Sequence, residues 1–259
     1  MGSDDLLVSE EPGLLRLTVN RPEKFNPLSR AVLGALRAQL TAAAARPDLK
    51  CVVIRGTGER YFAAGGDLRD LADVRSEEQT AAMVEECCGA LDAVRGCPVP
   101  VVALLNGDAI GGGAELAVAC DFRLMREAAR IGFIHGRLNI TAAWGGGTDL
   151  YGLVGRARAL RMTTRSELIP AALALEWGLA DAVLADHEME SGLREFIAPI
   201  LGQSATVLRG CKAQAIAARE GLDYARCRAI EQASLVRTWT HADHWAAVDR
   251  VLSPDRSKR

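Results

Sequence analysis

The sequence predicts an α/β fold, a core of short buried strands alternating with helices, followed by a purely helical C-terminal stretch. Three observations carry this. Strand-length apolar runs, such as CVVI at 51–54 and VVALL at 101–105, alternate with helix-length amphipathic segments. Glycine-rich turns stand at 63–67, 107–113 and 142–148, close to strand or helix boundaries. Beyond about residue 188 every apolar pattern has the helical period.

The elements follow in order. Leu15, Leu17 and Val19 alternate with Arg16 and Thr18 as a first strand, ended by Asn20, Arg21 and Pro22. The loop PEKFNPLS leads to an N-cap at Ser29 and a helix to about Ala45. Cys51 to Ile54 is a second strand. Gly56 and Gly58 open a loop that runs through Tyr61 and Phe62 to AAGGD at 63–67, before a short helical segment at Leu68 to Ala72. Ser76 and Gln79 form a capping box for a helix to about Arg95. Val101 to Leu105 is a buried strand, broken by Asn106, Gly107 and Asp108, with a helical apolar run from Glu115 to Cys120. Further strands are expected at Asp121 to Met125, Ile131 to Ile134 and Ala182 to Leu184. AAWGGGT precedes another helix, and Gly178 caps the end of one. The last helices cover roughly 188–200, 205–220, 223–238 and 243–252, and SPDRSKR is a frayed polar tail.

With 259 residues the chain can bury a large core, and its 49% apolar and 25% charged residues are ordinary for a globular protein. No internal sequence repeat or low-complexity linker divides it. The expected organisation is an α/β core over 1–200 and a helical region over 201–259 that is not independent. A net charge of −2 without a basic stripe argues against nucleic acid, although a small anionic ligand needs only a local basic patch. No apolar run is long enough to span a membrane, and the acidic start MGSDDLLVSEEPG lacks the apolar segment of a secretory signal. Seven cysteines, several inside apolar runs, suit reduced thiols in a cytoplasmic protein. No CxxC or Cys/His spacing suggests zinc, the four histidines are scattered, and no metal is expected.

The stretch VVALLNGDAIGGGAELAVAC, residues 101–120, organises the rest. Three glycines at a helix start leave the first free N–H groups bare, and those groups with the helix dipole favour an oxygen carrying negative charge. Glu115 lies about one turn past Gly112 and shares its face. AAGGD supplies a second bare amide at Gly66. Two converging donors make an oxyanion hole, and Glu115 beside them can move a proton. The same letters are compatible with two unrelated glycine turns and an ordinary surface glutamate.

From about residue 13 to the C-terminus the chain resembles the crotonase, or enoyl-CoA hydratase/isomerase, superfamily. The matching stretches are NRPEKFNPLS, YFAAGGDLRDL, VALLNGDAIGGGAELAVACDFRLM, AAWGGGTDLYGLVGRARAL and ALEWGLADAVL. The resemblance implies the crotonase fold of repeated ββα units with a C-terminal helical oligomerisation region, assembled as homotrimers often paired into hexamers. It implies an acyl-CoA thioester substrate whose carbonyl oxygen sits between the amides of Gly66 and Gly112, with coenzyme A as part of the substrate and no other cofactor. It places the first catalytic carboxylate of family hydratases on Glu115. Lys24, with Phe25 and Asn26, falls in the loop that contacts coenzyme A, and Ala64 and Trp144 fall among the substrate-binding positions. A lone loop lysine is otherwise simply solvated.

One departure stands out. Family hydratases carry a second glutamate in the stretch that here reads RIGFIHGRLNITAAWGG, and counting back from the glycine turn puts His135 there. His135 is either a proton-handling group or a partly buried hydrogen-bonding residue after a strand. The words FRLM, FIH, AAWGGGT, VLRGCKA and RTW resemble a narrower branch, the ethylmalonyl-CoA and methylmalonyl-CoA decarboxylases. Against that branch, Ala142 and Ala143 stand where the motif has a proline, and Gly136, Arg137 and Asn139 are also unlike it. Arg209 and Lys212 either meet CoA phosphates or lie on a solvated helix face. Trp177, Trp239 and Trp245 are expected in the core or at an interface. Three readings remain open: decarboxylation of a short alkylmalonyl-CoA, enoyl-CoA hydration or isomerisation with Glu115 as base, and non-catalytic acyl-CoA binding.

Overall fold

In the computed structural model, which describes residues 5–253, two sheets meet around one large core. The six-stranded sheet has the order β1 (Leu6–Glu11), β2 (Leu14–Val19), β3 (Cys51–Gly56), β5 (Val101–Leu105), β7 (Phe122–Arg126) and β10 (Ala182–Leu184). β1 and β2 are antiparallel, and the other neighbours are parallel. A four-stranded sheet, β4 (Tyr61–Ala63), β6 (Asp108–Ile110), β8 (Arg130–Gly132) and β9 (Ile169–Pro170), is parallel except at β8–β9.

Parallel strands covered on both faces read as continuous apolar runs, and β3 and β5 are of this kind. Val52 and Ile54 face a core shared with α1 (Arg30–Ala44) and α2 (Glu77–Arg95). Val53 faces the other way, with Val102, Leu104 and Leu124, against Leu193 and Ile197 of α6 (Met189–Leu201). Ser29 caps α1, and Ser76 and Gln79 close a reciprocal capping box on α2, as their spacing predicts.

Three expectations change. The segment 56–62 is not all loop, because Tyr61 to Ala63 pairs with β6. Leu68 to Ala72 forms turns rather than a helix: after one helical bond from Leu71 N–H to Asp67 O, the N–H groups of Ala72 and Val74 reach back only three residues, to Arg69 O and Leu71 O. The central helix α3 (Gly112–Ala119) starts at Gly112, three residues before Glu115. The remainder is α4 (Gly146–Arg165), α5 (Ala171–Glu176), α7 (Ala205–Arg219), α8 (Tyr224–Trp239) and α9 (Ala242–Leu252). α4 is bent at Gly155, whose φ is +74°. The expectation of a frayed tail falls mostly on 254–259, outside the described residues. No described helix is long and apolar enough to cross a membrane.

Candidate active site

The carboxyl ends of β4, β6 and β8 lie side by side, the usual place for a site beside parallel strands. Gly65 follows β4 with φ +101°, and Gly111 follows β6 with φ +55°, backbone states that favour glycine. A Cβ on Gly65 would stand 3.3 Å from the Ile110 carbonyl and 3.5 Å from the Gly112 nitrogen. A Cβ on Gly113 would collide with the Ala63 carbonyl. Side chains here would therefore push the two glycine turns apart. Leu28 N–H donates to Gly65 O and Asp67 N–H to Leu28 O, fixing the chain on both sides of Gly66. Gly111 N–H donates to Gly132 O. Among the described residues the N–H groups of Gly66 and Gly112 have no such partner.

Glu115 is only 1% exposed, which removes the surface-glutamate alternative. Its Oε2 accepts from the N–H of Trp144 at 2.9 Å and of Gly146 at 3.0 Å. Gly146 is the first residue of α4, so the carboxylate sits at a helix N-terminus, where negative charge is favoured. A Cβ on Gly146 would lie 2.5 Å from the Glu115 Cβ, so the helix can approach this closely only with glycine there. His135 stands on the 3₁₀ turn Ile134–Leu138 that follows β8, and its Nε2 is 3.1 Å from Glu115 Oε1. The carboxylate thus holds the imidazole, while His135 Nδ1 is buried without a hydrogen-bond partner. Leaving such an atom unsatisfied typically costs about 1–3 kcal/mol.

Ala64, Gly66, Gly112, Glu115, His135 and Trp144 line one cavity of about 860 Å³. Leu71, Met83, Val84 and Ile140 give it apolar walls. The fold thereby brings six of the eight candidate residues together. Lys24 and Phe25 lie outside it. They end a short 3₁₀ turn, and the Phe25 carbonyl accepts from Ala64 N–H at 3.1 Å. The Phe25 ring packs on Tyr61 beside a separate pocket of about 150 Å³. Among the described residues no group of three or more His, Cys, Asp or Glu side chains is disposed to hold a metal ion.

Sequence reasoning missed the support beneath the site. Arg21 and Asp67 are both buried and paired at 2.7 Å, and Arg21 also donates to Pro27 O. Burial works against the Asp67 carboxylate, but Arg21 and the N–H groups of Arg69 and Asp70 together hold its pKa below the ordinary range. Asn26 ties the loop to Thr57 O and Tyr61 O, and Asn106 binds Gly58 O and Tyr61 O. The signal was the nearness of Arg21 and Asp67 to the two motifs, but only the fold closes the distance.

For Lys212 both alternatives are overturned, and Arg209 is half-buried rather than on a solvated face. Arg209 donates to the carbonyls of Ala44 and Arg46. Lys212 is buried, with Nζ 2.6 Å from both oxygens of Asp121, and so fastens α7 to the core. Trp177 is buried, whereas Trp239 and Trp245 are half exposed and belong to no core.

Comparison with known proteins identifies the family and the fold. Residues 9–251 match the family described as Enoyl-CoA hydratase/isomerase. The chain is 31% identical over 221 residues to ethylmalonyl-CoA decarboxylase of Xenopus laevis, covering 85% of this chain and 73% of that protein. It is 30% identical over 235 residues to crotonyl-CoA hydratase of Syntrophomonas wolfei, covering 89% and 88%. The crystal structure of enoyl-CoA hydratase from Bacillus anthracis superposes with a TM-score of 0.89 at 29% identity, covering 96% of each chain.

Proposed function

Because the chain belongs to the enoyl-CoA hydratase/isomerase family, the crotonase superfamily, and is an acyl-CoA-processing enzyme, we propose that it decarboxylates a short alkylmalonyl-CoA. The observation that carries this reading is the engagement of Glu115. Its carboxylate already meets two backbone donors, and an imidazole stands beside it. Hydration uses two carboxylates to position and split water. Decarboxylation needs neither, only a place for the enolate and a later proton.

In the proposed reaction the thioester oxygen lies between the N–H groups of Gly66 and Gly112. The bond from the α-carbon to the carboxylate breaks, CO₂ leaves, and the electron pair moves into the enolate. Removing one such donor typically costs about 10²–10³ in rate. The apolar walls strip water from the leaving carboxylate. His135, as imidazolium, then gives its proton to the α-carbon and is reprotonated from solvent. Glu115 fixes the ring and stabilises its positive charge. Lys24 and the Phe25 backbone hold the coenzyme A part of the substrate, and no separate cofactor takes part.

The resemblance to hydratases supports a second reading, hydration or isomerisation with Glu115 as base. A non-catalytic acyl-CoA-binding role is the third. Incubation with methylmalonyl-CoA, ethylmalonyl-CoA and crotonyl-CoA, followed by mass, separates them. Release of CO₂ is the expected result. Hydration of crotonyl-CoA without CO₂ release, or turnover of none of the three, would overturn the proposal.

The assembly is proposed as a homotrimer or hexamer built through residues 201–259. Leu235, Val236, Trp239, Trp245, Val251 and Leu252 leave large apolar areas on α8 and α9 exposed, and a second copy would cover them. All seven cysteines are free thiols, which suits the cytoplasm.

A further inference from the structure

Trp144 occupies an unusual position in the cavity. A Cβ on Gly112 would overlap the six-membered ring of its indole, and a Cβ on Gly66 would stand 3.4 Å from the indole Cη2. One aromatic ring therefore touches both turns whose amides face the site. The backbone N–H of the same residue holds Glu115 Oε2 at 2.9 Å. The indole is buried and packed against both glycine turns. The backbone carbonyl of Trp144 accepts from Arg95 Nη2 at 3.0 Å, and Arg95 is itself paired with Asp149, so the main chain that carries the ring is fixed.

We propose that the Trp144 indole is the specificity-determining wall of the acyl pocket, restricting substrates to thioesters with a short, one- to two-carbon α-substituent. This rests on the reading that the thioester oxygen lies between the amides of Gly66 and Gly112. The α-carbon is two bonds from that oxygen, so whatever it carries must pass close to a ring packed on both glycines. A methyl or ethyl group can lie against the indole face. A butyl group meets a buried ring that can turn aside only by giving up its packing on Gly66 and Gly112. An added methylene in an apolar pocket that can receive it is worth roughly 10-fold or more in selectivity. The remaining walls, Leu71, Met83, Val84 and Ile140, are flexible aliphatic chains and set a softer limit.

The test compares the wild type with Trp144→Ala and Trp144→Phe, both of which keep the backbone N–H that Glu115 needs. Dissociation constants are measured for butyryl-, hexanoyl- and octanoyl-CoA, and kcat/KM for methyl-, ethyl- and butylmalonyl-CoA. The expected result is a shift in the ratio of longer to shorter ligand of at least roughly 10-fold toward the longer in Trp144→Ala, with Trp144→Phe between. Unchanged length preference in both folded variants overturns the proposal, as does a uniform loss of affinity for all lengths. Trp144→Phe serves alone if Trp144→Ala does not fold. The binding series is independent of the reaction. If no malonyl thioester is turned over but the binding preference shifts, the decarboxylase reading falls and the wall stands.

Discussion

Arg21 and Asp67 face each other at 2.7 Å with both side chains buried, one on the loop after β2 and the other immediately after Gly66. The pair pins the turn that presents the Gly66 amide. Asp67→Asn removes the nearer of two carboxylates on the Arg21 guanidinium and leaves Asp5 at 3.3 Å. Breaking a buried pair outright typically costs about 3–5 kcal/mol, and the remaining Asp5 makes the loss smaller. The expected outcome is a lower melting temperature at neutral pH and a reduced kcat, measured by thermal unfolding and steady-state assay.

The same pair gives a pH dependence whose sign follows from the lowered pKa of Asp67. The ionised carboxylate is favoured more in the folded than in the unfolded chain. Its contribution is therefore complete above the unfolded carboxylate pKa and disappears as pH falls through the lower folded one. Melting temperatures from pH 7 to pH 3 should fall less steeply in Asp67→Asn than in the wild type. Parallel curves would refute this.

Glu115→Gln separates the enzyme readings. A glutamine can still accept from Trp144 and Gly146, but its amide cannot stabilise an imidazolium. In the decarboxylase, CO₂ release survives in part while deuterium incorporation from solvent slows. In a hydratase nearly all activity is lost. His135→Ala should impair protonation of the α-carbon. Wild-type CO₂ release and deuterium incorporation in His135→Ala would remove it from the mechanism.

Gly112→Pro deletes the N–H donor, and Gly146→Ala leaves both amides in place but drives a methyl into the Glu115 side chain. The first should abolish turnover in a folded protein. The second should lower stability by roughly 1–3 kcal/mol, as overpacking does, and displace the carboxylate. Full activity in folded Gly112→Pro would remove the oxyanion-hole assignment.

Leu235→Glu with Val251→Glu places charge on the exposed apolar areas of α8 and α9. Light scattering at micromolar concentration should show a trimer or hexamer for the wild type and smaller species for the variant. A monomeric wild type would refute assembly through these helices.

The sequence was legible where a local signal sufficed. Ser29 and Ser76 with Gln79 marked helix starts, and both cap them. β4, β6 and β9 escaped because strands of two or three residues contain too little pattern to show a period. β1 escaped because four successive residues, Leu7 to Glu10, are exposed. Glycine turns and Glu115 gave the outline of the site. The burial of Glu115, its hold on α4 and the Arg21–Asp67 pair depend on contacts 29 to 46 residues apart in sequence. Lys212 misled for the same reason, since Asp121 is 91 residues away.

The order of the small sheet has a consequence for how chemistry can change in this scaffold. β4, β6 and β8 are successive rungs of one ladder, and each is followed just past its end by one of the candidate groups: Gly66, Gly112 and then His135. Two rungs offer only main chain, so their contribution survives any side-chain drift that spares the glycines. The third offers a side chain, and exchanging it alters the proton chemistry without touching the other two. Under the proposed mechanism, reaction type is therefore editable at one rung, while the anion-holding function is written into the backbone of its neighbours.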